Sequence, residues 1–338
     1  MQKKHIVVLM GGLSSEHDVS ISSGRQVMES LNRDLYDITP VTITRDGHWQ
    51  FPNGPAVSLY EAVAELKRLC TDCVFIALHG QFGEDGRLQG MLDLLGLPYT
   101  SSGCTASALA MDKVLCKAVV REAGIRVADH MNISRKVWAA DPEAVVAAVG
   151  KRLGFPCVMK PPCQGSSVGI SIPSNVEAFR KAFPDVMQYG TSVMVEQFVK
   201  GTEVTCAVLE ADDSKPAMAL PVTEIRPVTS AYFDYEAKYT PGASLEITPA
   251  EIAPEVAAEV QAMAVRVHEI VGCGIWSRSD FMIGPDGPVW IEVNTIPGMT
   301  PTSLFPQGAA AIGISYPQFI QKLIEAAIAR HERGRERL

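Results

Sequence analysis

Asp280, Glu292 and Asn294 form the most chemically suggestive group in this chain. Residues 277–283 and 289–294 read as two strands joined by a Gly-Pro-Asp-Gly-Pro turn at 284–288. Side chains two apart on a strand share a face, so Glu292 and Asn294 project together, and a hairpin brings Asp280 opposite them. Two carboxylates and an amide oxygen are a hard, all-oxygen set suited to magnesium. Arg278 shares the face of Asp280, and a cation beside metal-binding carboxylates makes sense if a polyanion also sits there. The alternative is an exposed hairpin with ordinary polar residues. Against it stands residues 289–293, Val-Trp-Ile-Glu-Val, apolar on both faces, where a carboxylate needs a partner.

A second candidate is the loop Gly165-Ser166-Ser167-Val168-Gly169, a few residues after Lys160. Small residues let backbone N–H groups surround phosphate oxygens, and Lys160 at a strand end adds positive charge. The Walker pattern is absent, and read alone the loop is equally a flexible turn. A third segment runs from Glu196 through Gln197 and Val199 to Glu203. It could bind an adenine through backbone and Glu196, with Glu203 reaching a ribose, but by itself it also reads as a charged hairpin. Glu16 and His79 each lie just past a strand end, where ligands bind in open α/β sheets.

The elements that must position these residues follow from hydrophobic patterning. Strands are expected at 5–10, 38–44 and 74–78, alternating with helices at 21–31, capped by Ser20, at 59–69 and at 88–95. That alternation predicts an α/β domain with a parallel sheet covered on both faces. Beyond residue 103 the pattern changes. Helices are expected at 105–110, 112–123, 142–152, 175–183, 254–271 and 316–330, and strands at 157–160, 169–172, 192–197 and 204–209. Residues 227–246 form a long irregular stretch, and such loops are usually lids or disordered.

Bulk properties narrow the class. A chain of 338 residues is too long for one ordinary core. A net charge of −8 without a basic block gives no sign of nucleic-acid binding. No apolar run approaches bilayer length and no signal peptide is apparent, so a cytoplasmic protein is expected. The eight scattered cysteines fit reduced thiols. Cys70 and Cys73 have C-x-x-C spacing but lack a second ligand pair for zinc, and Cys73 is expected to pack at a strand start.

Together these stretches resemble the ATP-grasp enzymes, and closely the D-alanine–D-alanine ligases. The likeness runs through residues 11–20, 78–86, 111–113, Lys160 with the serine loop, 235–239, 278–280 and 292–304, in the family's order. It implies an N-terminal Rossmann-like domain (1–103), then a central ATP-grasp lobe (104–190) and a C-terminal lobe (191–338) of α+β type. It implies ATP and two magnesium or manganese ions on Asp280, Glu292 and Asn294. Lys113 and Lys160 would hold phosphates, with Ser166 in the loop over them, and Glu196, Gln197, Val199 and Glu203 would surround the nucleoside. Glu16, assisted by His79, would hold the first of two D-alanine molecules. Arg278 and the N–H of Gly298 would stabilise the reacting centre, and Ser303 with the N–H of Leu304 would hold the second D-alanine. Lys238 and Tyr239 would close as a lid, with Tyr239 linked through Ser166 to Glu16. A homodimer is expected, with no membrane or nucleic-acid partner. For His79 a purely structural role, bonded to backbone, stays open.

Two departures stand out. Gln164 replaces an acid common in relatives, and Ile296 replaces a serine. Neither is expected to touch reacting atoms. Other readings are a ligase forming a D-alanine–D-lactate or D-alanine–D-serine product, a non-catalytic nucleotide-binding regulator, and a dinucleotide-binding dehydrogenase. The regulator should have lost Arg278 or a metal ligand, and the dehydrogenase lacks its third glycine after Gly11-Gly12.

Overall fold

The structure, a computed structural model, describes residues 3–210, 216–228, 242–300 and 302–336. Its first sheet holds β1 (Lys4–Gly11), β2 (Tyr36–Ile43), β3 (Trp49–Gln50), β4 (Ala56–Val57) and β5 (Cys73–Ile76), in the order β4-β3-β2-β1-β5. β1 pairs in parallel with β2 and β5. Ile6, Val7, Val8 and Leu9 on β1 are all fully buried, as expected of a parallel strand covered on both faces. The expected parallel sheet is extended at one edge by β3 and β4, which pair antiparallel. Strands of two residues carry no readable periodicity.

Helix His17–Ser30 starts before the expected Ser20 cap. Ser20 lies inside it and donates its hydroxyl to the Glu16 carbonyl at 3.1 Å, while Glu16 occupies the N-cap position. This correction matters because it places a carboxylate at a helix N-terminus. Cys73 opens β5 fully buried, and all eight cysteines are free thiols.

The second sheet, β6-β8-β7, is antiparallel and comprises β6 (His130–Ser134), β7 (Cys157–Lys160) and β8 (Ser192–Gln197). Helices Pro142–Arg152 and Val176–Met187 cover it through Val145, Val149, Phe179 and Phe183. The strand expected at 169–172 reduces to a single bridge between Met159 and Ser171.

The third sheet contains β9 (Thr202–Leu209), β10 (Met218–Ala219), β11 (Thr223–Pro227), β12 (Ser244–Ile247), β13 (Trp276–Gly284) and β14 (Gly287–Asn294). Its order is β12-β11-β9-β13-β14, with β10 on β9. Helix Pro254–Val271 buries Val260, Ala264, Val267 and Val271, one helical stripe, against it. Helices Cys104–Met111 and Lys113–Glu122 share this core. β8, by contrast, belongs to the small sheet, so core membership groups residues 104–122 and 192–197 differently from sequence order. The closing helix Tyr316–Glu336 buries Phe319, Ile320, Leu323, Ile324 and Ala327 in the core of the first sheet. Both chain ends therefore build the N-terminal layer. No described helix is long and apolar enough to cross a membrane.

Candidate active site

The hairpin β13–β14 sets Asp280 opposite Glu292 and Arg278 opposite Asn294. The register shifts between Asp280 and Phe281, an irregularity of the kind often found beside active sites. Arg278 grips Asp280 with two parallel bonds, Nε to Oδ1 and Nη2 to Oδ2, both 2.9 Å. Such forked pairs are strong and fix geometry. Thr205 on the neighbouring β9 donates to Asp280 Oδ1 at 2.6 Å, and Asn294 Nδ2 donates to Oδ2 at 3.1 Å. Lys113 Nζ lies 3.2 Å from Glu292 Oε2 and donates to the Gln164 carbonyl at 2.7 Å. The structure thus brings Lys113, Arg278, Asp280, Glu292 and Asn294 together. Among the described residues, no three His, Cys, Asp or Glu side chains gather as a metal cluster. The donor set is two carboxylates plus the amide oxygen of Asn294, and this hard-oxygen chemistry fits magnesium or manganese.

A cavity of about 610 Å³ lies between the second and third sheets. Lys113, Lys160, Glu196, Gln197, Val199 and Glu203 line it, as do Gly165 and Ser167 of the loop. Glu196 is 3% exposed. Its carboxylate is paired with Lys160 through Oε2 and with Lys117 through Oε1, the latter at 2.8 Å. Burial alone would raise its pKa, but Lys117 and Lys160 outweigh that and hold it at about 2. The carboxylate is therefore engaged by lysines, and Gln197, Phe198 and Val199 line the cavity beside it. A buried carboxylate next to two ammonium groups keeps them because leaving any of the three unpaired is costly.

A second cavity, about 480 Å³, holds Glu16, His79, Arg278, Gly298, Ser303 and Leu304. Ser166, expected over the phosphates, lines this cavity and donates its hydroxyl to Glu16 Oε1. Ser166 and Ser167 both take left-handed backbone, φ 48° and 58°, the kind of strain that collects at functional sites. A Cβ on Gly165 would stand 2.8 Å from Glu16 Oε2, so a larger residue there would displace that carboxylate.

His79 is buried and directed on both sides. Its Nδ1 donates to the Ile296 carbonyl at 3.1 Å, and Nε2 accepts from the Ser23 hydroxyl at 2.8 Å. A carbonyl can only accept, which fixes this tautomer. Burial lowers the pKa and favours the neutral ring, although Glu16 opposes the shift. His79 thus both lines the cavity and ties the N-terminal domain to the C-terminal loop.

Ser303 occupies the N-cap position of helix Leu304–Ala311 without a side-chain capping bond; the helix is absent from the sequence reading, and its N-terminal polarity favours an anion. The Ser303 hydroxyl accepts from the Thr300 N–H at 3.1 Å, and a Cβ on Gly298 would crowd it at 2.9 Å. Lys238 and Tyr239 lie outside the described residues.

Three residues escape sequence reasoning. Thr205 reaches Asp280 only through the β9–β13 register. Lys117 sits one turn after Lys113 on the same helix face, a spacing that could have flagged it. Glu84 accepts from the N–H groups of Gly80 (2.8 Å) and Ile296 (3.0 Å) and lines the second cavity. Burial, with the Glu16 charge added, pushes its pKa up to about 8.

Gly165 and Glu292 line both cavities. The Arg278–Asp280 ion pair spans the same junction, because Asp280 lines the larger cavity and Arg278 the smaller. One chamber suits a polyanion and the other a small zwitterion, and a charged seam joins them.

Comparisons with known proteins agree with this geometry. Residues 119–325 match the family model for the D-ala D-ala ligase C-terminus, and residues 5–67 and 56–102 match that for its N-terminus. A D-alanine–D-alanine ligase of Chelativorans sp. is 40% identical, covering 97% of this chain and 99% of that one. The solved VanG D-Ala:D-Ser ligase of Enterococcus faecalis is 33% identical at a TM-score of 0.81, covering 96% and 100%. The D-alanine–D-alanine ligase of Bacillus anthracis, solved with ATP, is 28% identical at a TM-score of 0.79, covering 98% and 99%. With both family models matched and a full-length relative at this identity, the chain belongs to the D-alanine–D-alanine ligase family.

Proposed function

We propose that this chain joins two D-alanine molecules into D-alanyl-D-alanine, converting ATP to ADP and phosphate. The observation that carries the reading is the meeting of the two cavities at Gly165 and Glu292, bridged by the Arg278–Asp280 pair. A phosphoryl group held in one chamber can there meet a carboxylate held in the other.

The larger cavity takes ATP. Lys113 and Lys160 hold phosphates, and the 197–199 backbone with Glu203 borders the nucleoside. Bound at Asp280, Glu292 and Asn294, magnesium or manganese would neutralise phosphate charge. Glu16 pairs with the ammonium of the first D-alanine, and Ser166 and the absent Cβ of Gly165 keep that carboxylate in place. The D-alanine carboxylate attacks the γ-phosphorus, a P–O bond forms, and ADP leaves. The amine of the second D-alanine then attacks the acyl carbon, loses a proton, and phosphate leaves from the tetrahedral intermediate. Arg278 and the N–H of Gly298 stabilise its oxyanion. The N-terminus of helix Leu304–Ala311, with Ser303, receives the second carboxylate. Positioning and charge neutralisation carry most of such a phosphoryl transfer. From the family resemblance, Lys238 and Tyr239 close over the site and exclude water, which would otherwise hydrolyse the acyl phosphate.

The same resemblance supports a cytoplasmic homodimer that supplies peptidoglycan precursor. The test is product identity. Incubated with ATP, magnesium and D-alanine plus equimolar D-lactate and D-serine at neutral pH, the protein is expected to release D-alanyl-D-alanine as the main product by mass spectrometry. A predominant D-lactate ester or D-serine dipeptide overturns the assignment of the second substrate.

A further inference from the structure

Lys117 is fully buried and does not line the nucleotide cavity, so it cannot touch a ligand there. Its Nζ lies 2.8 Å from Glu196 Oε1, 5.3 Å from the ring centre of Trp290 and 3.5 Å from the Trp290 carbonyl oxygen. It therefore links β8 of the small sheet to β14 of the large one. Lys160, which holds the other Glu196 oxygen, does line the cavity. One buried carboxylate thus has two ammonium partners, an inner one and one at the cavity wall.

The group of three carries one net positive charge. If Lys160 turned to phosphate oxygens and Glu196 had no other partner, a buried carboxylate would be stranded, and that penalty is large. Lys117 removes the penalty because it remains on Oε1. We propose that Lys117 is a positioning residue that acts through Glu196, the reserve counter-ion that makes Lys160 exchangeable between Glu196 and nucleotide phosphates. This rests on the reading of the larger cavity as the nucleotide site. Lys113 and Lys117, one helical turn apart, then divide the work. Lys113 reaches Glu292 at the cavity wall, and Lys117 steadies Glu196 behind it.

The probe is ADP without metal, titrated calorimetrically into the full chain. Lys117→Met should weaken ADP binding by about tenfold or more, the usual weight of a charge-assisted contact. The KM for ATP should rise in step, while kcat and the KM for D-alanine stay within about twofold, a split that general destabilisation would not produce. ADP affinity unchanged in Lys117→Met overturns the proposal, as does an equal rise in both KM values. If Lys117→Met does not fold, Lys117→Met/Glu196→Gln is compared with Glu196→Gln alone. With the carboxylate gone, the lysine should have nothing left to do, so equal ADP affinities support the proposal and a further loss overturns it. A wild-type chain that fails to bind ADP contradicts the nucleotide site itself, an outcome distinct from either variant result.

Discussion

The two chambers of this site are built differently. The larger cavity, proposed to hold the nucleotide, is walled by strands β7, β8, β9, β11, β13 and β14, by the 161–172 segment and by the helix carrying Lys113, and that helix pairs its lysines with carboxylates on two sheets. The smaller cavity, proposed to hold the amino acids, is walled by strand ends, by Gly165 and Ser166, and by two helix N-termini, those at Glu16 and Ser303. In the first, strand register decides which groups meet. In the second, absent Cβ atoms and single hydroxyls decide it, at Gly165, Gly298 and Ser166. A polyanion tolerates a distributed field of cations, whereas a small zwitterion needs each partner fixed to within a fraction of an ångström.

Mutations should separate the two chambers. Arg278→Ala, at the seam, should lower turnover by about a thousandfold or more, since it removes charge stabilisation at the reacting centre. ADP affinity, measured calorimetrically, should change far less. Persistent turnover would show that the seam does not carry the chemistry. Ser166→Ala acts in the smaller chamber, which Ser166 lines. Loss of its bond to Glu16 should raise the KM for D-alanine by about ten- to a hundredfold in steady-state assays, leaving ADP affinity near wild type. Equal effects on both substrates would contradict the division.

Thr205→Val acts on the other side. Without its bond to Asp280, manganese binding followed by paramagnetic resonance should weaken by about tenfold, and Thr205→Ser should restore most of it. Unchanged manganese affinity in Thr205→Val would remove Thr205 from that role.

The remaining prediction concerns stability rather than activity, at Glu84. Its folded pKa is raised from 4.5 to about 8, so the folded state keeps a proton that the unfolded state has already lost. Stability should therefore fall as pH rises through this window. Thermal melts should show wild type losing ground to Glu84→Gln between about pH 5 and about pH 8, with parallel curves counting against a protonated Glu84.

The same contrast explains what was legible in the sequence. The hairpin declares itself because a period of two puts Glu292 and Asn294 on one face of an otherwise apolar strand. β1 is readable as an unbroken apolar run. Cross-strand partners outside that hairpin were not readable: Thr205 meets Asp280 through a pairing that no local pattern encodes. Lys117 differs in sequence from a surface lysine only by lying one turn after Lys113, and its burial comes from tertiary packing. Ser20 misled because a serine near a helix start is a good cap by composition, while the chain instead begins its helix at His17. The serine loop and the Ser303 turn became interpretable through family resemblance, since glycine and serine signal permissiveness before purpose.

Phosphate release measured with ATP and magnesium, first without amino acid, then with D-alanine, then with L-alanine, tests the joined-chamber account most directly. The account predicts release only with D-alanine, matched one to one by dipeptide. Equal release with both enantiomers, or release without any amino acid, would contradict it.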